Sequence, residues 1–453
     1  MTERTDKKRS FWIGLALALA AFYVLAAMLE GYRLYPDSYS YISMELSREP
    51  MYSIFLATLR RLFGWGGEDF WLQAAAVVQS LLTAWAGWYF TRRLTELFRL
   101  RERESLLLAL CTLLPSLFCR FFANRRAMYS YSMISESLAF PLFLAFLTCV
   151  AAYALRGGKR DFVGSAVLAF VLISVRKQMY VTLPLLLLGS IWRGLRHGGL
   201  LRRLAAALLA AVLVLAANSL LDRGYNYVLR GEALRHTGDM RFVATMLLYT
   251  AEPEDAAAID DAELRGIFEQ VLRLADERQL TCRYAPSGWF DRSLFFMNHY
   301  DLIQFGCLGD TIAPLARAKY PGDETAMQLE RDRIYDGLNA ALLPGGWTRV
   351  LRTAADSFGM GLVNTAAAMK RPLIPAAVLL YAAWFALFTV NIRRRREDEA
   401  VVAGLVLASI LGNVALVSLT IFCQPRYTLY NMPVFYASLL LLLRGAVRRS
   451  PAE

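Results

Sequence analysis

Residues 11–29 read FWIGLALALAAFYVLAAML, a run without a single charge. At 1.5 Å per residue, a helix of that length crosses most of a ~30 Å hydrocarbon core. Arg4, Lys7, Lys8 and Arg9 precede it. No small-residue cleavage site follows, so the run reads as a retained helix leaving a basic, cytoplasmic flank. Comparable apolar runs recur at about 71–90, 105–118, 134–155, 162–175, 180–192, 204–221, 372–392, 400–422 and 428–443. Inside lipid a helix satisfies its own backbone, whereas an open strand does not. The alternating apolar/polar segments of a membrane barrel are missing. The expected fold is therefore an all-α polytopic membrane protein with about ten transmembrane helices.

Composition agrees with that class. Hydrophobic residues make up 57% of the chain, above the 45–50% usual for soluble domains. The formal charge of +12 would suggest nucleic acid in a soluble protein. Here nearly half of the Lys and Arg fall in the six segments that ten spans place on the inner side, so the charge orients helices and no nucleic-acid partner is expected. Six cysteines are scattered with no CxxC, and three histidines (His197, His236 and His299) are far apart in sequence. No metal or redox motif is supported. Cys282 and Cys307 could pair in an oxidising compartment or remain two free thiols.

Three regions follow: a transmembrane module at 1–221 (helices one to seven), an extracytoplasmic segment at 222–370, and a transmembrane module at 371–453 (helices eight to ten). The middle segment holds more acidic than basic residues and reads as a folded, mainly helical body, with amphipathic helices at 261–280 and 322–343. Helices three, five and six are short for the bilayer, which suggests tilted or buried spans around a cavity.

The first outer loop, 30–70, contains Tyr35-Pro36-Asp37-Ser38-Tyr39-Ser40-Tyr41 and then Arg48-Glu49-Pro50-Met51-Tyr52. Pro36 predicts a chain reversal, with Asp37 opening a helix that Pro50 closes. A second helix at 51–63 places Tyr52, Phe55, Leu56, Leu59, Leu62 and Phe63 on one side, with Gly64 as its C-cap. Crossing a membrane does not need an acid at 37. It is either an N-cap or a general base at a membrane-facing site.

Cations also stand where topology does not ask for them: Arg120, Arg125 and Arg126 between helices three and four, Arg176 and Lys177 between five and six, and Arg426 between nine and ten. Each has an aromatic neighbour. Snorkelling to headgroups accounts for any one of them. Together they suggest an anion site, because the arginine fork matches phosphate oxygens. Glu136 opens the fourth helix, where it either offsets the helix dipole or orients Arg126 or Arg176.

These residues, taken in order and sidedness, resemble the GT-C superfamily of integral membrane glycosyltransferases, the protein mannosyltransferase and aminoarabinose transferase relatives. The similarity rests on the outward first helix, Asp37 and Tyr41, Arg48-Glu49-Pro50-Met51-Tyr52, Ser135-Glu136, Arg176-Lys177-Gln178 and Pro425-Arg426-Tyr427. It covers helices one to six and eight to ten. The resemblance implies a polyprenyl-phosphate-linked sugar as donor and an extracytoplasmic acceptor: a cell-wall polymer, glycolipid or protein. The setting it implies is a bacterial plasma membrane. It implies Asp37 as the catalytic base, and Arg126, Arg176, Lys177 and Arg426 as ligands of the donor phosphate. Sugar or acceptor contacts would fall to Tyr41, Arg48, Glu49, Tyr52, Glu136, Gln178 and Tyr427. The chain departs from the family in having Pro50-Met51-Tyr52 in place of a Pro-x-Tyr-Pro-like stretch. It has no Asp-x-Asp pair in the first loop, so a divalent metal has no support and no cofactor is expected. A polyprenyl-linked lipid flippase or transporter is the alternative, against which stand the missing internal repeat and the outer-face clustering of polar residues. A third reading is a sensor or assembly protein whose outer segment binds a partner.

Overall fold

The computed structural model describes the backbone of residues 2–122 and 126–448, with side chains from residue 8 onward. Among these residues the fold is all helical, with no strand beyond one isolated parallel bridge between Arg33 and Ser132. Among the described residues six helices are long and apolar enough to cross a membrane: Lys8–Glu30, Glu102–Phe122, Glu136–Arg156, Leu200–Arg230, Arg371–Arg393 and Glu397–Thr420. The other four expected spans are also helices, shorter or more polar than these.

The chain begins with α1 (Thr2–Glu30), α2 (Pro36–Ile42), α3 (Pro50–Phe63), α4 (Glu68–Phe98), α5 (Glu102–Phe122) and α6 (Glu136–Arg156). Helix α1 buries Leu15, Leu19, Tyr23 and Ala27, four residues at a spacing of four, and packs against α4. Its other faces leave Ile13, Leu17, Leu25 and Met28 exposed, as suits a helix touching lipid. Helix α6 is innermost: from Glu136 to Ala154 every side chain except Leu142 is buried. Around it stand α4, α7 (Lys159–Val175) and α8 (Thr182–His197). Small residues allow the approach. A Cβ added at Gly189 of α8 would lie 3.0 Å from Val150 Cγ1.

Helix α9 (Leu200–Arg230) closes the first module, and α15 (Ile374–Arg393), α16 (Glu397–Thr420), α17 (Pro425–Thr428) and α18 (Asn431–Val447) form the last one. Between them lie α10 (Met240–Tyr249), α11 (Ala262–Glu277), α12 (Trp289–Ile303), α13 (Asp310–Lys319) and α14 (Glu324–Ala366). This polar segment has its own core, including Leu247, Phe268, Val271, Phe296, Tyr300, Ile334 and Leu338. Burying a side chain of this size contributes about 1.5–3 kcal/mol. Asp261 caps α11 by accepting from the amides of Glu263 and Leu264, and Asp323 caps α14. Cys282 and Cys307 are free thiols.

Four expectations need correction. Pro50 does not close a helix begun at Asp37. Helix α2 ends at Ile42, the chain reverses through Met44 (φ 58°), and Pro50 starts α3 with Glu49 extended before it. Proline at the first helical position loses no needed N–H, so it begins a helix more readily than it ends one. Helix three is not short, because α5 runs through 21 residues, ~31 Å. Helix seven does not end at Leu221: Asp222 lies inside α9, whose last turns continue to Arg230. Nor does the amphipathic stretch at 322–343 end as a separate helix. Helix α14 runs for 43 residues, from the segment's core into that of the membrane module, where Val363 and Ala366 are buried.

One contact ties the segment to the connection that carries Arg426. Phe422, between α16 and α17, inserts into the segment's core, with its ring centroid 5.1 Å from Tyr300 and 6.2 Å from Phe296.

Candidate functional site

The start of α2 explains why the Asp37 carboxylate is free to act elsewhere. Tyr35 is extended, Pro36 sets the first helical φ, and the Tyr35 amide donates to Ser38 Oγ at 2.8 Å. Ser38 therefore does the local capping work, and Asp37 is not an N-cap. Its carboxylate points toward two arginines instead. Arg48 Nη2 donates to Oδ1 at 2.7 Å and Arg426 Nη2 donates to Oδ2 at 2.6 Å.

The network continues inward. Arg426 also donates from Nε to Glu136, and Arg176 Nη1 lies 2.5 Å from the same carboxylate oxygen. Glu136 is fully buried. The result is an alternating row of charges, Arg48–Asp37–Arg426–Glu136–Arg176, drawn from α2, the turn before α3, the first turn of α6, the end of α7, and α17. Three guanidiniums face two carboxylates, so the row keeps one formal positive charge in excess. Charges this well buried persist only when paired and hydrogen-bonded.

Aromatic rings and amides hold the row in place. The Arg48 guanidinium lies 4.7 Å from the Tyr41 ring centroid, and Arg48 Nε donates to Ser40 Oγ at 2.6 Å. Tyr41 meets Tyr52 edge-on at 5.0 Å, and the Tyr52 hydroxyl donates to Gln79 of α4 at 2.9 Å. Arg176 and Arg426 sit 5.0 Å and 5.3 Å from the Tyr427 ring centroid. Gln178 accepts from Arg176 Nε at 3.0 Å and donates to the Tyr427 carbonyl at 2.6 Å. Tyr52, Glu136 and Gln178 are thus buried and brace the arginine row. Tyr41 and Tyr427 are buried as well.

The sequence-derived phosphate ligands divide. Arg176 and Arg426 meet at Glu136. Lys177 turns away from the row: its Nζ lies 5.6 Å from the Tyr180 ring centroid, and its amide donates to Glu49 Oε1 at 3.2 Å. Arg126 is exposed in a left-handed turn (φ 46°), and the ion pairs of Asp37 and Glu136 go to the other three arginines, not to it. Arg125 lies outside the described residues.

Burial raises the Asp37 pKa, but the Arg426 and Arg48 guanidiniums outweigh it and hold the carboxyl well below the usual carboxylate range. Asp301 of α12 is shifted the other way: burial, then the nearby charge of Asp37, pushes it up.

Two features were not anticipated from sequence. Arg241, in the first turn of α10, is near enough to feel the charges of Arg48 and Asp37, and its buried Nε has no hydrogen-bond partner among the described residues. Glu49, His236 and Asp239 bring three possible ligand atoms within 4.8 Å of one another. Neither has a sequence signature, because the α2–α3 turn and the start of the polar segment are almost two hundred residues apart. One signal was available: Arg241 and His236 belong to a short polar stretch directly after an apolar helix, as Asp37 does.

No family model matches this chain, and no curated protein or solved structure matches it either.

Proposed function

We propose that this chain is a membrane glycosyltransferase that moves a sugar from a polyprenyl-phosphate donor to an extracytoplasmic acceptor. The observation that carries the reading is the row Arg48–Asp37–Arg426–Glu136–Arg176. It offers a cation-rich end for a phosphate beside a carboxylate able to accept a proton.

In the resting protein the Asp37 carboxylate occupies the forks of Arg48 and Arg426. A donor phosphate is a competing anion for the same forks. When it takes them, Asp37 is released and its proton affinity rises. The acceptor oxygen then bonds to the anomeric carbon while the bond from that carbon to the phosphate oxygen breaks. The acceptor's proton passes to Asp37, and the electron pair leaves with the lipid phosphate. Arg48 and Arg426 stabilise the charge that develops there. Attack opposite the leaving group inverts the anomeric centre. The buried Glu136 fixes Arg176 and Arg426 throughout.

This reading takes all ten helices as spans, with both termini in the cytoplasm and the polar segment over the outer mouth of the bundle. It would act in a bacterial plasma membrane. A cysteine introduced near Asp260 should label from outside, and one near Arg395 should not. The opposite labelling would remove Asp37 from the extracytoplasmic side.

The activity test uses the purified protein with a panel of polyprenyl-phosphate sugars, read as release of lipid phosphate. Release supports the transferase. Transbilayer movement of the donor without release would replace it with the flippase.

A further inference from the structure

We propose that Glu49, His236 and Asp239 bind a divalent first-row cation, of the Zn²⁺ class. Such an ion would tie the α2–α3 turn to the start of the polar segment. The proposal rests on these residues alone and not on the transferase reading.

The geometry starts at His236, whose side chain is only 4% exposed. Its Nδ1 lies 2.7 Å from Asp222 Oδ2, and its amide donates to the same carboxylate at 3.2 Å. A carboxylate on one ring nitrogen fixes the tautomer and leaves the other nitrogen as a lone-pair donor. That other atom, Nε2, is buried without a hydrogen-bond partner. It lies 3.2 Å from Asp239 Oδ2, a distance that suits an ion-paired imidazolium as well as two ligands of one metal ion. Glu49 completes the group with one carboxylate oxygen, and its Oε1 accepts the Lys177 amide at 3.2 Å.

The chemistry suits an ion. Zinc bonds to imidazole nitrogen and carboxylate oxygen at about 2.0–2.2 Å, so ligands on one ion stand less than ~4.4 Å apart. The candidate ligand atoms all lie within 4.8 Å of one another, ~0.4 Å beyond that limit. One imidazole and two carboxylates, with no thiolate, form a borderline-hard set that leaves a coordination position open. Asp222 supplies the outer carboxylate such sites use.

The surroundings give the ion a structural place. The Thr237 amide donates to the Leu46 carbonyl at 2.9 Å, Arg230 Nη2 to the Met44 carbonyl at 2.5 Å, and the Gly238 amide to Asp332 at 2.8 Å. The segment thus already lies against the turn that carries Arg48 and Glu49. A metal there would fix Glu49, and with it the neighbouring arginine that holds Asp37. The competing arrangement is an ion pair in which a protonated His236 bridges Asp222 and Asp239.

The test uses the full-length protein in detergent, stripped with chelator, dialysed against Zn²⁺ and measured by elemental analysis and thermal unfolding. The expected result is about one Zn²⁺ per chain and a raised Tm. The isosteric Asp239→Asn variant, which leaves the fold's volume unchanged, and Glu49→Gln should each weaken binding at least ~10-fold, in the range seen for disturbed metal sites. Glu397→Gln, at an exposed acid at the start of α16 that pairs with Arg196, should keep it. No stoichiometric Zn²⁺ and no Tm shift in the unsubstituted protein would overturn the proposal in favour of the ion pair. Equal binding by Asp239→Asn, Glu49→Gln and the unsubstituted chain would overturn it as adventitious metal only.

Discussion

Asp37 Oδ2 and Arg426 Nη2 lie 2.6 Å apart although 389 positions separate the two residues in the chain. A contact of that range joins the first and last thirds of the protein, as does the pairing of Arg426 with Glu136. It also makes Asp37 a resting-state stand-in for an anionic ligand. Asp37→Asn should therefore have two opposite effects. The amide cannot accept a proton, so kcat should fall by at least ~10². It also no longer competes for the arginine forks, so the donor KM should stay level or drop. Steady-state kinetics with a polyprenyl-phosphate sugar separates the two. A fully active Asn variant would remove Asp37 from the chemistry.

Arg426 serves two carboxylates at once, through Nη2 to Asp37 and Nε to Glu136. A lysine has one point of charge and no fork. Arg426→Ala should raise the donor KM by ~10-fold or more, and Arg426→Lys should recover only part of it. Complete recovery by lysine, measured in the same assay, would show that charge alone suffices and that the fork is not used.

Much of the fold was legible because lipid imposes a simple code. Uninterrupted apolar runs between basic clusters located a helix at each of the ten expected positions. Amphipathic spacing located the helix beginning at Ala262. What escaped was set by tertiary contact. The end of helix seven at Leu221 was set too early, because polarity alone does not end a helix whose backbone continues to be satisfied. Pro50 was misread because proline has opposite meanings at the two ends of a helix, and only the extended Glu49 before it decides which. In the site, Asp37, Arg176 and Arg426 stood out as charges that topology did not require. The depth of Glu136, Tyr52 and Gln178 did not, since burial depends on what packs over a residue. The His236 group was invisible for a related reason: its ligands meet only when the polar segment lies on the α2–α3 turn.

Glu136 is the pivot of the buried half of the row, fully enclosed and shared by Arg176 and Arg426. Removing one partner of a buried ion pair typically costs about 3–5 kcal/mol, because the remaining charges stay desolvated. Glu136→Gln keeps the shape and loses the charge, so it should destabilise the protein by that order. Equilibrium unfolding in detergent is the measurement. A change under ~1 kcal/mol would place water or lipid phosphate around the arginines in solution.

The pH behaviour of Asp37 follows from its two arginines. Its folded-state pKa is lowered, against burial, by Arg426 and Arg48. A lowered carboxylate pKa contributes stability above the unfolded value of about 4, and that contribution is lost only as pH falls through the depressed folded value. In the donor-free protein, the infrared difference between unsubstituted chain and Asp37→Asn should show an ionised carboxylate still present at pH 4. The profile of kcat/KM, which reports the free enzyme, should accordingly carry no limb from Asp37 above pH 4. Once a phosphate has taken the arginine forks, the carboxylate loses its two cations and gains an anionic neighbour. Both changes raise its pKa. The acid limb of kcat, which reports the bound complex, should therefore lie at higher pH than that of kcat/KM. Coincident limbs would mean that Asp37 stays paired with Arg48 and Arg426 during turnover, and the proton would have to go to another group, of which Asp301 is the nearest in character.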